Sequence, residues 1–125
     1  MTFEFRLAVR RNRTLPAFGA GLVEPTGRPP RIARLVALAH KLEGMVRSGV
    51  IKDHGELARR AQVSPARIAQ IVILSQLAPD IQEYVLFLSS EHAGLITEPG
   101  LREIARDLRW DRQRDAFRAL LRQAS

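Results

Sequence analysis

Two helix-start signals eleven residues apart, at Asp53 and Ser64, constrain this chain more than any other feature. Asp53 is followed three residues on by Glu56, a capping-box-like pattern in which the Asp side chain accepts an otherwise unpaired N–H of the first turn. Ser64 is followed by Pro65, which suits the first helical position because the N–H it lacks would have no partner there. The interval holds one short helix and a tight turn before the next helix begins. With His54 counted as position one, Leu57, Ala58, Ala61, Val63, Ile68 and Ile71 fall at positions 4, 5, 8, 10, 15 and 18. Two short helices crossing at about 90–120° over a tight turn need apolar or small residues at those positions, and Ala58 is the small one at closest approach. The spacing predicts a helix-turn-helix over residues 54–74. One position departs from the pattern. The turn favours a glycine at positive φ, and Gln62 stands there at a cost of about 1 kcal/mol. The alternative is an ordinary pair of short helices packed at another angle.

The rest of the chain reads as helices around this unit, with a different N-terminal segment. Phe3, Phe5, Leu7 and Val9 alternate with Thr2, Glu4 and Arg6 at the period of a half-buried strand. Residues 10–13 form a basic turn, and Phe18, Ala20 and Leu22 suggest a return strand. Two strands alone are marginal, so this hairpin needs a partner surface. Residues 24–30, EPTGRPP, read as an extended linker because three prolines forbid helix and regular sheet. The expected fold class is therefore mainly α, a multi-helix helix-turn-helix domain over residues 31–125 preceded by a short strand or hairpin and a Pro-rich basic linker over 1–30. On that division, removing residues 1–28 leaves the helices folded.

Arg31 opens a helix with Ile32, Leu35, Val36, Ala39, Leu42, Met45 and Val46 on one face, stopped by Gly49. Pro79 opens another, with Ile81, Tyr84, Val85 and Leu88 as its apolar stripe. After a loop over residues 89–96, Thr97 caps a helix with Ile96 and Leu101 as a hydrophobic staple and Leu101, Ile104, Ala105 and Leu108 as its buried face. Asp111 is expected to cap a last helix ending in Phe117, Leu120 and Leu121.

Charge is informative once it is located. Residues 1–52 hold ten basic and three acidic side chains, whereas residues 53–125 hold ten of each, so the whole excess of +7 lies in the first part. Between Leu57 and Pro79 stand Arg59, Arg60 and Arg67 and no acid, which makes a local basic island. Eighteen of the 20 basic residues are arginine, whose planar fork grips phosphates and guanine edges, although a GC-rich genome also favours arginine. A basic helix-turn-helix points to double-stranded DNA. In that fold the N-terminal half of the second helix enters the major groove and the first helix lies across the backbone. The groove-facing candidates are Ser64, Pro65, Ala66, Arg67, Ala69 and Gln70. Gln70 can pair with adenine, Arg67 with guanine or a phosphate, and Ser64 can bond a phosphate while capping. Arg59 and Arg60 are phosphate candidates on the preceding helix. For Arg67 the competing reading is a surface ion pair, disfavoured by the lack of acids nearby in sequence. Arg28, Arg31 and Arg34 form a further basic group. GRPPR is similar to the core of an AT-hook minor-groove arm but lacks the arginine before the glycine, Thr26 standing there; the competing reading is a plain linker.

The segment ELARRAQVSPARIAQIVILSQLAPDIQEYV, residues 56–85, resembles the central DNA-binding domain of ParB- and KorB-type partition proteins. The features that carry this are ELA at the start, the S-x-x-x-I-x-x-I second helix, and LAPDIQE opening the next one. The resemblance extends through residues 96–105 if these correspond to the following family helix, and it does not reach the N-terminal third. Residues 1–50 hold no counterpart to the arginine-rich phosphate motifs of ParB, so nucleotide switching is not carried over. GRPPRIARLVALAHKLEGMV together with YVLFL is also similar to small stand-alone proteins encoded beside site-specific recombinases on mobile elements. This likeness implies a DNA-binding accessory factor or transcriptional regulator. Where those relatives carry polar residues on the second helix, Pro65 and Ala69 stand here.

An enzyme is not expected. His40, His54 and His92 are scattered, without metal-ligand spacing, and no phosphate-cradling glycine loop or nucleophile elbow is present, so no cofactor or metal is assigned. The competing non-enzymatic reading is an adaptor whose residues 3–9 pair with a recombinase or a second subunit. RNA binding ranks third, because aromatics for stacking are few. The partners expected are double-stranded DNA, with a homodimer and a site-specific recombinase as further candidates, and no membrane, since no apolar run nears the roughly 20 residues of a spanning helix. Absence of cysteine and of a signal-peptide pattern leads to a cytoplasmic, nucleoid-associated expectation.

Overall fold

A computed structural model describes residues 15–19, 21, 27–92 and 94–124. Among these residues the chain is mainly helical and contains no strand. The helices are α1 (Arg31–Arg47), α2 (His54–Ala61), α3 (Pro65–Val72), α4 (Pro79–Leu86), α5 (Glu98–Ala105) and α6 (Trp110–Ala124), with 3₁₀ turns at Ile73–Gln76 and Ser90–His92. The expected strand over residues 2–9, the basic turn over 10–13, and Ala20 and Leu22 lie outside the described residues. Phe18 and Gly19, expected at the start of a return strand, form a turn, with Gly19 at φ 88°.

Local signals set the helix boundaries. Asp53 Oδ1 accepts from Glu56 N at 2.9 Å, Ser64 Oγ from Arg67 N at 3.1 Å, and Thr97 Oγ1 from Gly100 N at 3.2 Å. Each such cap stabilises its helix by about 0.5–2 kcal/mol. The capping box at Asp53 is one-sided, because the Glu56 carboxylate pairs forward with Arg60 at 3.3 Å. Gly49 at φ 83° ends α1 in the left-handed conformation that glycine adopts without strain.

The main core collects Ile32, Leu35, Val36 and Ala39 of α1, Ile71 and Leu74, Ile81, Tyr84 and Val85 of α4, Leu101, Ile104 and Ala105 of α5, and Phe117 and Leu121 of α6. Burying a side chain of this size contributes about 1.5–3 kcal/mol. Two expectations about the last helices are corrected. Leu108 is 80% exposed, because α5 stops at Ala105 and the helical period that would bury it no longer runs. Asp111 lies inside the first turn of α6 rather than at its cap; that helix starts at Trp110, with the Arg109 carbonyl accepting from Gln113 N at 3.0 Å.

Leu15 and Phe18 belong to this core. Leu15 is buried in it, and the Phe18 ring stands edge-on to Tyr84 and Phe117, with centroids 6.0 and 5.2 Å away. Tyr84 donates its hydroxyl to the Pro16 carbonyl, and Arg118 lies over the Phe18 ring at 5.4 Å. These contacts cross the boundary expected at residue 30.

Two buried amides pin the connection from α3 to α4. Gln113 Oε1 accepts from Ala78 N at 2.7 Å while its Nε2 donates to the Gln76 and Asp107 carbonyls at 3.1 and 2.7 Å. Gln82 Nε2 donates to the Ser75 and Leu77 carbonyls at 3.1 and 2.7 Å. Irregular backbone over residues 75–78 thus finds side-chain partners where the helices provide none.

Candidate nucleic-acid interface

The unit formed by α2 and α3 has its own small core. Leu57 and Ala58 of α2 pack on Ile68 and Val72 of α3, together with Ile51 and the half-buried Leu42, Met45 and Val46 of α1. Four of the six positions read as its apolar set are buried, namely Leu57, Ala58, Ile68 and Ile71. Ala61 and Val63 are exposed, Val63 at 40%, because the last residue of α2 and the turn after it face outward. Between the helices Gln62 adopts φ 56°, ψ 41°, the left-handed conformation expected of this site, and it is the only non-glycine at positive φ among the described residues. Gln62→Gly should therefore stabilise the protein by about 0.5–1 kcal/mol in chemical unfolding, since the strain removed exceeds the added freedom of the unfolded chain. A loss of stability would contradict the left-handed turn.

The outer face of α3 consists of Pro65, Ala66, Ala69 and Gln70, all exposed, with Ser64 at its cap. Arg59 and Arg60 are exposed on α2, Arg60 being paired with Glu56. Arg28, Arg31 and Arg34 are exposed around the start of α1. The charge of Arg31 helps to stabilise the Glu98 carboxylate.

Arg67 is the main departure from expectation. Although no acid stands near it in sequence, its Nη1 donates to Glu98 Oε2 at 2.6 Å and its Nη2 to Oε1 at 3.1 Å. Folding packs α5 on the 3₁₀ turn Ile73–Gln76 that follows α3, and a carboxylate 31 residues away becomes the partner of Arg67. Arg102 Nη1 donates to the same Oε2 at 2.6 Å, and Gln70 Oε1 accepts from Arg67 Nη1 at 3.2 Å. The hydrogen bond from Arg67, followed by the nearby charges of Arg67, Arg102 and Arg31, holds the Glu98 carboxyl below the usual carboxylate range despite its burial. The pair is therefore present at neutral pH and is lost only as pH falls below the ordinary glutamate range.

Sequence reading missed Glu98 and Arg102. An acid just after the Thr97 cap reads as a partner of the helix dipole, which hides its second role. The histidines stay apart: His54 Nε2 lies 3.3 Å from Glu43 between α2 and α1, His92 is buried with Nδ1 3.0 Å from Ser89 Oγ, and His40 is exposed on α1. Among the described residues there is no group of three or more potential metal ligands, and no helix is long and apolar enough to cross a membrane. Comparison of the chain with protein-family models, curated proteins and solved structures finds no match in any of the three.

Proposed function

We propose that the protein binds double-stranded DNA, with α2 and α3 acting as a helix-turn-helix and α3 as the element that enters the major groove. The observation that carries this reading is the pair of short, side-chain-capped helices joined through the left-handed Gln62, presenting an outer α3 face of small and polar residues beside a set of arginines. Small side chains at Ala66 and Ala69 let the helix backbone approach base edges closely. Exposed Arg59 and Arg60 are suited to phosphates on the flank. The likeness to ParB- and KorB-type domains and to recombinase-linked proteins supports a role as transcriptional regulator or accessory factor of a mobile element, acting at the nucleoid in the cytoplasm. The second reading is an adaptor for a recombinase or partition-like complex, favoured by Leu108, before α6, and Trp110, its first residue, which are 80% and 48% exposed and offer an apolar contact to another protein.

Binding to random duplex DNA at low salt separates the two, since an adaptor without DNA affinity gives no complex. On the DNA reading, affinity falls steeply with salt; a protein making 6–10 phosphate contacts loses roughly 10³–10⁵ between about 50 and 200 mM. Arg59→Ala and Arg60→Ala should each weaken all sequences alike and make the salt slope shallower by about one unit. A response to salt that is flat in the wild-type protein would contradict the proposal.

A further inference from the structure

Five N–H bonds project from an arginine guanidinium, and the structure accounts for three of those of Arg67. Nη1 spends both of its hydrogens, one on Glu98 Oε2 and one on Gln70 Oε1, and Nη2 spends one on Glu98 Oε1. The two that remain are Nε–H and the second Nη2–H, which lie side by side on one edge of the planar group. No hydrogen bond within the described residues uses that edge, and the Arg67 side chain keeps 30% of its surface exposed. Glu98, by contrast, keeps only 11%, so its carboxylate is available to little besides its arginines.

Two parallel donors on one edge call for two adjacent acceptors. In the major groove guanine offers them as N7 and O6, whereas adenine places an acceptor next to a donor. Gln70 points the same way: with a lone pair of Oε1 taken by Arg67, its Nε2 donors are what it most readily offers outward. Arg31 and Arg102 offset the charge of Glu98, so the surroundings of this fork stay cationic toward an anionic duplex.

We infer that Glu98 is a positioning residue that locks Arg67 as a two-donor reader of guanine, so that base preference depends on a carboxylate outside the α2–α3 unit. This rests on the DNA-binding reading above. Arginine has many rotamers, and a fork fixed before contact loses less freedom on binding than one that must be ordered. A phosphate also offers two oxygens to such an edge, but it carries no sequence information, and this difference decides the test.

Selection of bound duplexes from a random pool by the wild-type protein should give a position occupied by guanine. Glu98→Gln, which keeps the side-chain shape but removes the charge and the second acceptor, should reduce the preference for guanine there by roughly tenfold to a hundredfold. Affinity for a scrambled duplex should change less than about threefold in the same variant, because phosphate contacts elsewhere are untouched. Arg67→Lys keeps the charge and cannot form the fork, so it should lose the same preference, and it carries the test if Glu98→Gln fails to fold. Replacing N7 of that guanine by carbon should weaken wild-type binding and leave Arg67→Lys unaffected. Equal weakening of all sequences in both variants would assign Arg67 to a phosphate and overturn the inference. An unchanged guanine preference in both, with duplex binding intact, would overturn it as well while leaving the DNA-binding reading standing. Absence of any duplex binding by the wild-type protein would overturn that reading and this inference together.

Discussion

Replacing Leu15 and Phe18 by alanine in the full chain should lower the unfolding free energy by about 3–6 kcal/mol, a large part of the 5–15 kcal/mol that holds a typical domain together. Leu15 is 7% exposed in the main core, and Phe18 packs edge-on against Tyr84 and Phe117, which also meet each other edge-on. Removing both opens a cavity lined by two aromatic rings. Deleting residues 1–28 should do at least as much damage, against the expectation that a Pro-rich linker isolates this segment. Thermal denaturation followed by helical circular dichroism measures the loss. Tyr84 provides a second readout, because it is the only tyrosine in the chain. Burial pushes its phenol up to about 12. Folding therefore favours the neutral phenol, and this contribution is whole below the ordinary tyrosine value of about 10 and is lost as pH rises from there through the folded value. In the double variant the phenol should titrate back toward its ordinary value. An unaltered titration and melt would show that residues 15–18 do not support the core.

Gln113→Leu should cost about 2–4 kcal/mol and lower the melting temperature on the order of 10–25 °C, despite placing a more apolar residue of similar size at a fully buried position. Gln113 is 0% exposed, so an argument from hydrophobicity alone predicts the opposite sign. The difference lies in its partners. Without the amide, the N–H of Ala78 and the carbonyls of Gln76 and Asp107 lose their partners, the first of them in a fully buried residue. Unmade hydrogen bonds in such places cost more than the added methyl groups return. Chemical unfolding of the variant decides this, and a stability equal to or above that of the wild type would mean that the connection from α3 to α4 is held by packing alone.

Much of the helical architecture was legible in the chain because its signals are local. Asp53, Ser64 and Thr97 cap helices through side chains that reach three residues ahead. Pro65 and Pro79 each open a helix, and Gly49 ends one. The stripe Ile81, Tyr84, Val85 and Leu88 is buried as its period requires. The left-handed turn at Gln62 agrees with the expectation that the turn site of such a pair of helices takes a positive φ. All of these depend on interactions within about one helical turn, which a sequence displays directly.

Tertiary structure alone decided what joins segments far apart. Leu108 fits the apolar period of α5, yet it is exposed because the helix ends before reaching it. Gln113 looks like one more polar residue on a charged helix until Ala78 and Gln76 arrive beside it. Arg67 sits in a stretch without acids, and only the packing of α5 on the 3₁₀ turn after α3 gives it Glu98 as a partner. Caps and turns are fixed by neighbours along the chain, whereas ion pairs and buried amides are fixed by neighbours in space. The sequence thus determined where five of the six helices start and which faces of most of them turn inward, whereas the start of α6 and the meeting of distant polar groups were decided by the fold.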